Sequence, residues 1–452
     1  MNKIYTILTV TLVLASCFAW GQAENFTTRS ADGEPEIRQV MAEKGQTIND
    51  FIHPATLRAM QTEVDPGIDP EGDYVHRMAW SGDGAYLLQT NAITSNVTIF
   101  DAETLEPAAN VDVGFFPVDV ACTEDYAVVP CVFADSVFVI SLTDFSIAAT
   151  FPTAEQPATV EVSHDGTHAF VGCDIDDVLE VIDLENMEHI ASHSGFPVAL
   201  RSVNWITGSG RFYYTWRQFV VSPDDQYIIT SDYDTKIMKF DIADGSFVDE
   251  IEGLGFITEL NFSGDGEVLI AVESASPATV NQIDYNTFTV SQSVTFSDVG
   301  IWGGGVAVNP DGSKAFLGVN GNQTALVRFD TQDYLLYPVT QTAFWCDNTY
   351  DHQYAVSGQF RFSIFDFESE QVRGSYWGIS QYLGAVSPVS YHAAGVDPGR
   401  YEGPAFYEFS DPQVVNLMGQ VPSGEAPEGD VPYRVAVAND GSKAVAVNNL
   451  SG

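Results

Sequence analysis

Ser81-Gly82-Asp83-Gly84-Ala85-Tyr86-Leu87-Leu88-Gln89-Thr90-Asn91, followed shortly by Asn96-Val97-Thr98-Ile99-Phe100-Asp101, is the stretch that decides the architecture. A polar turn opens it, and two short runs of apolar, β-branched and aromatic residues follow. The second run ends on an aspartate. Alternation of polar and apolar residues marks a strand, and Asp-Gly supplies the tight turn between antiparallel neighbours.

The same turn recurs along the chain. Ser163-His164-Asp165-Gly166, Ser222-Pro223-Asp224-Asp225, Ser263-Gly264-Asp265-Gly266, Asn309-Pro310-Asp311-Gly312 and Asn439-Asp440-Gly441 are versions of it, with a degenerate copy at Thr123-Glu124-Asp125. The aspartates at 83, 125, 165, 224, 265 and 311 are separated by 42, 40, 59, 41 and 46 residues. From 311 to 440 the interval is 129 residues, three periods of 43 whose internal turns near Asp351 and Pro388 have lost the sequence pattern. The Asp-terminated run also recurs, at Val178–Asp183, Lys236–Asp241 and Leu326–Asp330, and a fourth run such as Ala108–Val113 or Phe247–Ile251 completes each unit. A fixed period must be read before any motif. Four short antiparallel strands about every 40 residues predict an all-β fold, the β-propeller, with eight blades favoured over seven. A partial ninth repeat begins at the C-terminus. The expected organisation is a signal peptide at 1–23, a polar leader at 24–70 and the propeller over 71–452.

The repeat resembles the YVTN-type β-propeller family of secreted and surface-layer-type proteins. Leu87-Leu88-Gln89-Thr90-Asn91 and Ala446-Val447-Asn448 match its eponymous strand end loosely, and the turn and the hydrophobic-Asp strand match as well. The Gly-His and Trp-Asp pairs of WD repeats are missing, as are the kelch double glycine and the Asp-box. Propellers of similar appearance include lactonases and quinoprotein dehydrogenase subunits, so the resemblance also implies an enzyme or enzyme subunit as an alternative.

Residues 1–23 carry Lys3, an apolar run from Ile4 to Ala15 and then small residues, which reads as an export signal too short to span a bilayer. Cleavage after Ala23 fits. Leu14-Ala15-Ser16-Cys17 resembles a lipobox, so a lipid anchor on Cys17 is the second reading. Either route places the protein outside the cytoplasm: secreted, periplasmic or at the cell surface. The four cysteines beyond the signal, Cys122, Cys131, Cys173 and Cys346, match no zinc spacing. Cys131 and Cys173 occupy equivalent repeat positions, and a disulfide between adjacent blades would need backbone adjustment.

With 62 Asp and Glu against 18 Lys and Arg, the formal charge is −44. Such a surface excludes nucleic-acid binding, which needs clustered cations, and disfavours anionic bilayers. One region departs from it. From His189 to Pro223 there is no acidic residue, and the stretch holds Arg201, Trp205, Arg211, Tyr213, Trp216 and Arg217 within the 59-residue interval. Arginine beside aromatic rings suits capture of carboxylates and protein contact. The alternative is a hairpin turning at Gly208-Ser209-Gly210 with its arginines paired elsewhere.

Loops joining the last strand of one blade to the first of the next share one face, and aromatic residues collect there. Phe116, Trp302 and Trp377, with the six residues of the insertion, form the expected ligand surface for a protein or carbohydrate; the alternative is that the rings wedge between blades. Catalytic patterns are weak. The pairs His164 with His168 and His189 with His193 have helical metal spacing in strand sequence, and Asp174, Asp176 and Asp177 offer at most a loop for Ca2+. The expected role is therefore a non-catalytic binding or scaffold module, with a propeller enzyme or a module of a longer surface protein as alternatives.

Overall fold

The computed structural model describes most of residues 75–420, with the strand residues 432–437 and 444–448. Residues 197–218 and several short connections, among them 232–235, 302–304, 339–342, 378–382 and 397–403, lie outside the described residues. The strands form eight four-stranded antiparallel sheets, each built from consecutive strands in simple order. These are blades 1 to 8, spanning 75–112, 121–152, 157–194, 219–252, 257–295, 306–338, 345–377 and 383–420. No helix occurs among the described residues. The expected eight-bladed propeller is the fold. A further hairpin, Pro432–Val437 paired with Ala444–Asn448, forms a two-stranded sheet of its own in a different compact unit of the chain.

Each joint between blades is filled by its own apolar cluster. Leu88, Val97 and Ile99 of blade 1 meet Ala127, Val129 and Ile140 of blade 2. The pattern continues round the ring. It closes where Met78, Trp80, Leu87 and Phe100 of blade 1 meet Ala385, Ala394 and Phe406 of blade 8. Because every sheet is covered on both faces, adjacent residues such as Leu87 and Leu88 serve opposite joints. That explains a departure from expectation: the second and third strands are buried nearly throughout, as in Leu87–Asn91, Val97–Phe100 and Leu179–Ile182, and do not present the alternation of a half-exposed strand. Only the fourth strands alternate toward solvent.

The repeated turn owes its persistence to one hydrogen-bond pattern. Ser81 Oγ donates to Asp83 Oδ1 at 2.6 Å and accepts from the Tyr86 amide at 2.9 Å, while Asp83 Oδ1 accepts the Ala85 amide at 2.9 Å. Serine and aspartate thus satisfy the turn amides that no ladder reaches. The arrangement recurs at Ser163–Asp165, Ser222–Asp224 and Ser263–Asp265. It also recurs at Thr349–Asp351, where Thr349 Oγ1 donates to Asp351 Oδ1 at 2.7 Å. The turn near Asp351 is therefore not lost; threonine replaces serine with the same chemistry. Its fourth position is left-handed, at φ 72° for Gly84, and Asp225 occupies it at φ 54°. This residue also binds the neighbouring turn, taking the His164 amide at 2.8 Å and the His164 ring at 2.7 Å.

Candidate inner-strand site

The first strand of each blade packs against the first strands of its neighbours and is the innermost. Along these strands one register position recurs. Arg77, Thr159, Glu259, Trp345 and Leu383 each pair with the fifth residue of the second strand: Thr90, Gly172, Val272, Gly358 and Val396. Asp119 stands at the same offset, four residues before Thr123 as Arg77 stands four before Ser81. Blades 1, 2, 3 and 5 thus contribute polar or charged groups at this tier, while blades 7 and 8 contribute Trp345 and Leu383. Two residues further along each strand come Glu161, Asn261 and Asp347.

Asp119 is the most elaborated member. Its Oδ1 lies 3.3 Å from Arg77 Nε and accepts the Val120 amide at 2.9 Å. Its Oδ2 accepts from the Val160 amide at 3.1 Å and from Thr159 Oγ1 at 3.3 Å. One carboxyl therefore ties blades 1, 2 and 3 together, with its side chain 13% exposed and that of Arg77 28% exposed. Burial pushes the Asp119 carboxyl above the ordinary aspartate range, and Glu161 adds to the shift. Arg77 and the Val160 and Val120 amides oppose it. A carboxyl with elevated pKa, partly open to solvent beside a guanidinium, is equipped to take and return a proton.

On the opposite arc, Asn261 of blade 5 donates to Val306 O at 2.7 Å and to Asn348 Oδ1 at 3.1 Å, and the Val308 amide donates to Asn348 Oδ1 at 2.9 Å. These amides join blades 5, 6 and 7. They hold the inner strands in register and carry no titratable group.

The residues expected from sequence fall elsewhere. Arg201, Trp205, Arg211, Tyr213, Trp216, Arg217 and Trp302 lie outside the described residues. Trp377 ends the outer strand Gln371–Trp377 of blade 7. Phe116 is 7% exposed and packs with Ala92, Val118, Val132 and Ala158, its ring 5.2 Å from that of Phe133; it takes the wedging alternative. Phe115 beside it is 53% exposed.

The histidine pairs do not converge. His164 binds Asp225, His168 accepts or donates with Thr167 Oγ1 at 2.7 Å, and the ring of His193 lies against Gly245. The His189 Nε2 atom meets Glu180 Oε2 at 2.8 Å and also Ser192 Oγ at 3.3 Å. Both contacts fall on the same nitrogen, so the ring cannot relay a proton from serine to carboxylate. Asp176 Oδ2 accepts the Glu155 amide at 2.8 Å, and Asp177 sits in the left-handed region at φ 51°. Among the described residues no three His, Cys, Asp or Glu side chains group as a metal site. Cys131 and Cys173, considered for a bridge between blades, are buried free thiols, as is Cys346, and Cys122 is a partly buried free thiol.

Sequence reading missed Arg77 and Asp119. The signal that could have found them is register: aligned on the repeated turn, both stand four residues before its first position, Arg77 on the innermost strand of blade 1 and Asp119 just ahead of that of blade 2.

The fold and these strands define an eight-bladed β-propeller with charged groups on its inner strands. No family model matches the chain, and no curated protein matches it. Among solved structures, it is similar to the Kuenenia stuttgartiensis hydrazine synthase, with 18% identity over 70% of this chain and 98% of that chain and a TM-score of 0.49. It is also similar to the dihydro-heme d1 dehydrogenase NirN in complex with DHE, with 15% identity over 67% of this chain and 66% of that chain and a TM-score of 0.53. At these identities the likeness shows the shared propeller fold. The expectation of a non-catalytic binding or scaffold module is nevertheless corrected in favour of its alternative: the NirN chain that shares the fold is named a dehydrogenase, and Glu161 and Glu259 stand on the inner strands, so their lining is not purely apolar.

Proposed function

We propose that this chain is a β-propeller enzyme or enzyme subunit, with its chemistry at the inner strands of blades 1 to 3. Asp119 is the acid–base group and Arg77 its charged partner. The single observation that carries this reading is the buried Asp119 carboxyl, raised above the ordinary range yet reaching solvent beside Arg77. The likeness to a chain named as a dehydrogenase supports the enzyme class. Export through residues 1–23 and membership of the YVTN-type repeat family belong to the same proposal, supported by the apolar run from Ile4 to Ala15 and by the strand end Leu87–Asn91.

The test uses the full chain purified from its exported fraction. Two panels are assayed: lactones, read by acid release, and alcohols and other reductants, read by reduction of a soluble redox dye. Turnover in either panel that falls at least tenfold in Asp119→Asn supports the proposal. Turnover that Asp119→Asn leaves unchanged, or none in either panel, overturns it.

A further inference from the structure

His76 lies on the inner strand of blade 1 and is 4% exposed. Its Nδ1 stands 2.5 Å from the carbonyl oxygen of Val118, the residue immediately before Asp119. A carbonyl only accepts, so Nδ1 carries the proton and the ring is the donor. The imidazole also meets Phe116 edge to face at 6.3 Å, and Phe116 closes the far side of the same loop at φ 65°. A single buried ring therefore meets the chain on either side of Pro117, the Phe116 side chain before it and the Val118 carbonyl after it, just ahead of the carboxyl that joins three blades. Arg77, the partner of Asp119, is the next residue after His76. The pair His76-Arg77 thus grips the Asp119 segment twice, by backbone and by side chain.

We infer that His76 is a positioning residue, whose hydrogen bond to the Val118 carbonyl holds Asp119 in its desolvated place against Arg77 and Val160. The inference rests on the reading of Asp119 as the acid–base group. Burial keeps His76 neutral, lowering its pKa to about 4, so the donor is present throughout the neutral range. The charged and titratable groups around Asp119 are Arg77 from blade 1, Glu161 from blade 3 and Cys122 in its own blade. None of these is altered by replacing His76.

The experiment follows the Asp119 carboxyl directly. The full chain is labelled with [4-13C]aspartate, the Asp119 resonance is assigned by its loss in Asp119→Asn, and its titration is recorded in wild type, His76→Asn, His76→Gln and His76→Phe. Asparagine places an N–H close to the position of imidazole Nδ1; glutamine displaces it by a methylene; phenylalanine removes it. Because burial is the main cause of the elevated pKa, loosening the loop admits water, and the midpoint falls by about 1 pH unit in His76→Phe and His76→Gln. His76→Asn keeps the wild-type midpoint. If His76→Phe fails to fold, the contrast between glutamine and asparagine decides. An elevated wild-type midpoint that neither the phenylalanine nor the glutamine variant moves, or that asparagine lowers as much as they do, overturns the positioning role and leaves the proposed function standing. A wild-type midpoint at the ordinary aspartate value overturns the acid–base reading itself.

Discussion

Trp80 donates its indole N–H to the carbonyl of Ala385 at 3.2 Å, across 305 residues of chain. That bond fastens blade 1 to blade 8, whose inner strands complete the ring without exchanging a strand. The ring of Trp80 is 7% exposed and meets Phe406 edge to face at 6.1 Å. Among the described residues, closure thus rests on packing together with this side-chain hydrogen bond. Trp80→Ala leaves a large cavity at this joint and costs about 3–5 kcal/mol. Trp80→Phe keeps most of the packing and strands the Ala385 carbonyl, costing about 1 kcal/mol. Denaturant midpoints of the two variants check the order.

The repeated turns make stability depend on acid. Asp165 accepts from Ser163 Oγ at 2.6 Å and Thr167 Oγ1 at 2.7 Å and from the Thr167 amide, and these bonds hold its pKa down at about 2. A depressed folded-state pKa contributes stability that is present above the unfolded value near 4 and is lost as pH falls toward 2. The group is largely solvated, which limits its share to about 1 kcal/mol or less. Asp165→Asn is expected to be less stable than wild type at pH 6, with the gap closing by pH 2. Thermal melts across that range read the convergence. Asp144, Asp224 and Asp311 shift in the same direction, so acid unfolding is expected to be cumulative.

How much of this was legible in the sequence follows from which physics repeats. The turn Ser-x-Asp-Gly is local chemistry, so its copies at 81, 163 and 263, and the Ser-x-Asp-Asp copy at 222, announce themselves, and strand count and blade number follow from their spacing. The copy at Thr349 was hidden because hydroxyl chemistry survives a change of residue that a letter pattern does not. Arg77 and Asp119 were harder still. They are 42 residues apart and become neighbours only when blades 1 and 2 pack, and in a chain with 62 acids one aspartate carries no sequence signal. Aromatic residues drew attention instead, and Phe116 shows why that misleads: a ring before an inner strand is well placed to fill a joint.

The four described thiols are chemically quiet. Cys131 lies at the end of the second strand of blade 2, fully buried, and burial pushes its pKa up to about 12; Cys122, Cys173 and Cys346 are raised for the same reason. Thiolate is the reactive form, so native protein at pH 8 should resist alkylation at all four positions. Iodoacetamide labelling with peptide mass mapping is expected to modify them only after denaturation. Rapid native labelling of Cys131 or Cys173 contradicts the packing of blades 2 and 3 described above.

Asp119 should give the opposite pH signature from Asp165. Its folded-state pKa lies above the unfolded value because burial disfavours the carboxylate. A raised pKa contributes stability that is fully present below the unfolded value and is lost as pH rises through the folded one. Asparagine cannot ionise, so the stability of Asp119→Asn relative to wild type should increase as pH rises through the acidic range. It levels off above the folded-state pKa. Arg77→Gln removes the cation that favours the carboxylate, so in that background the rise starts at the same pH but continues to higher pH and becomes larger. Urea denaturation of the four proteins (wild type, each single variant and the double) at closely spaced pH values separates the two effects. If the difference between wild type and Asp119→Asn instead moves in the direction expected for Asp165→Asn, the carboxyl is an ordinary solvated ion pair and the inner-strand site loses its proton carrier.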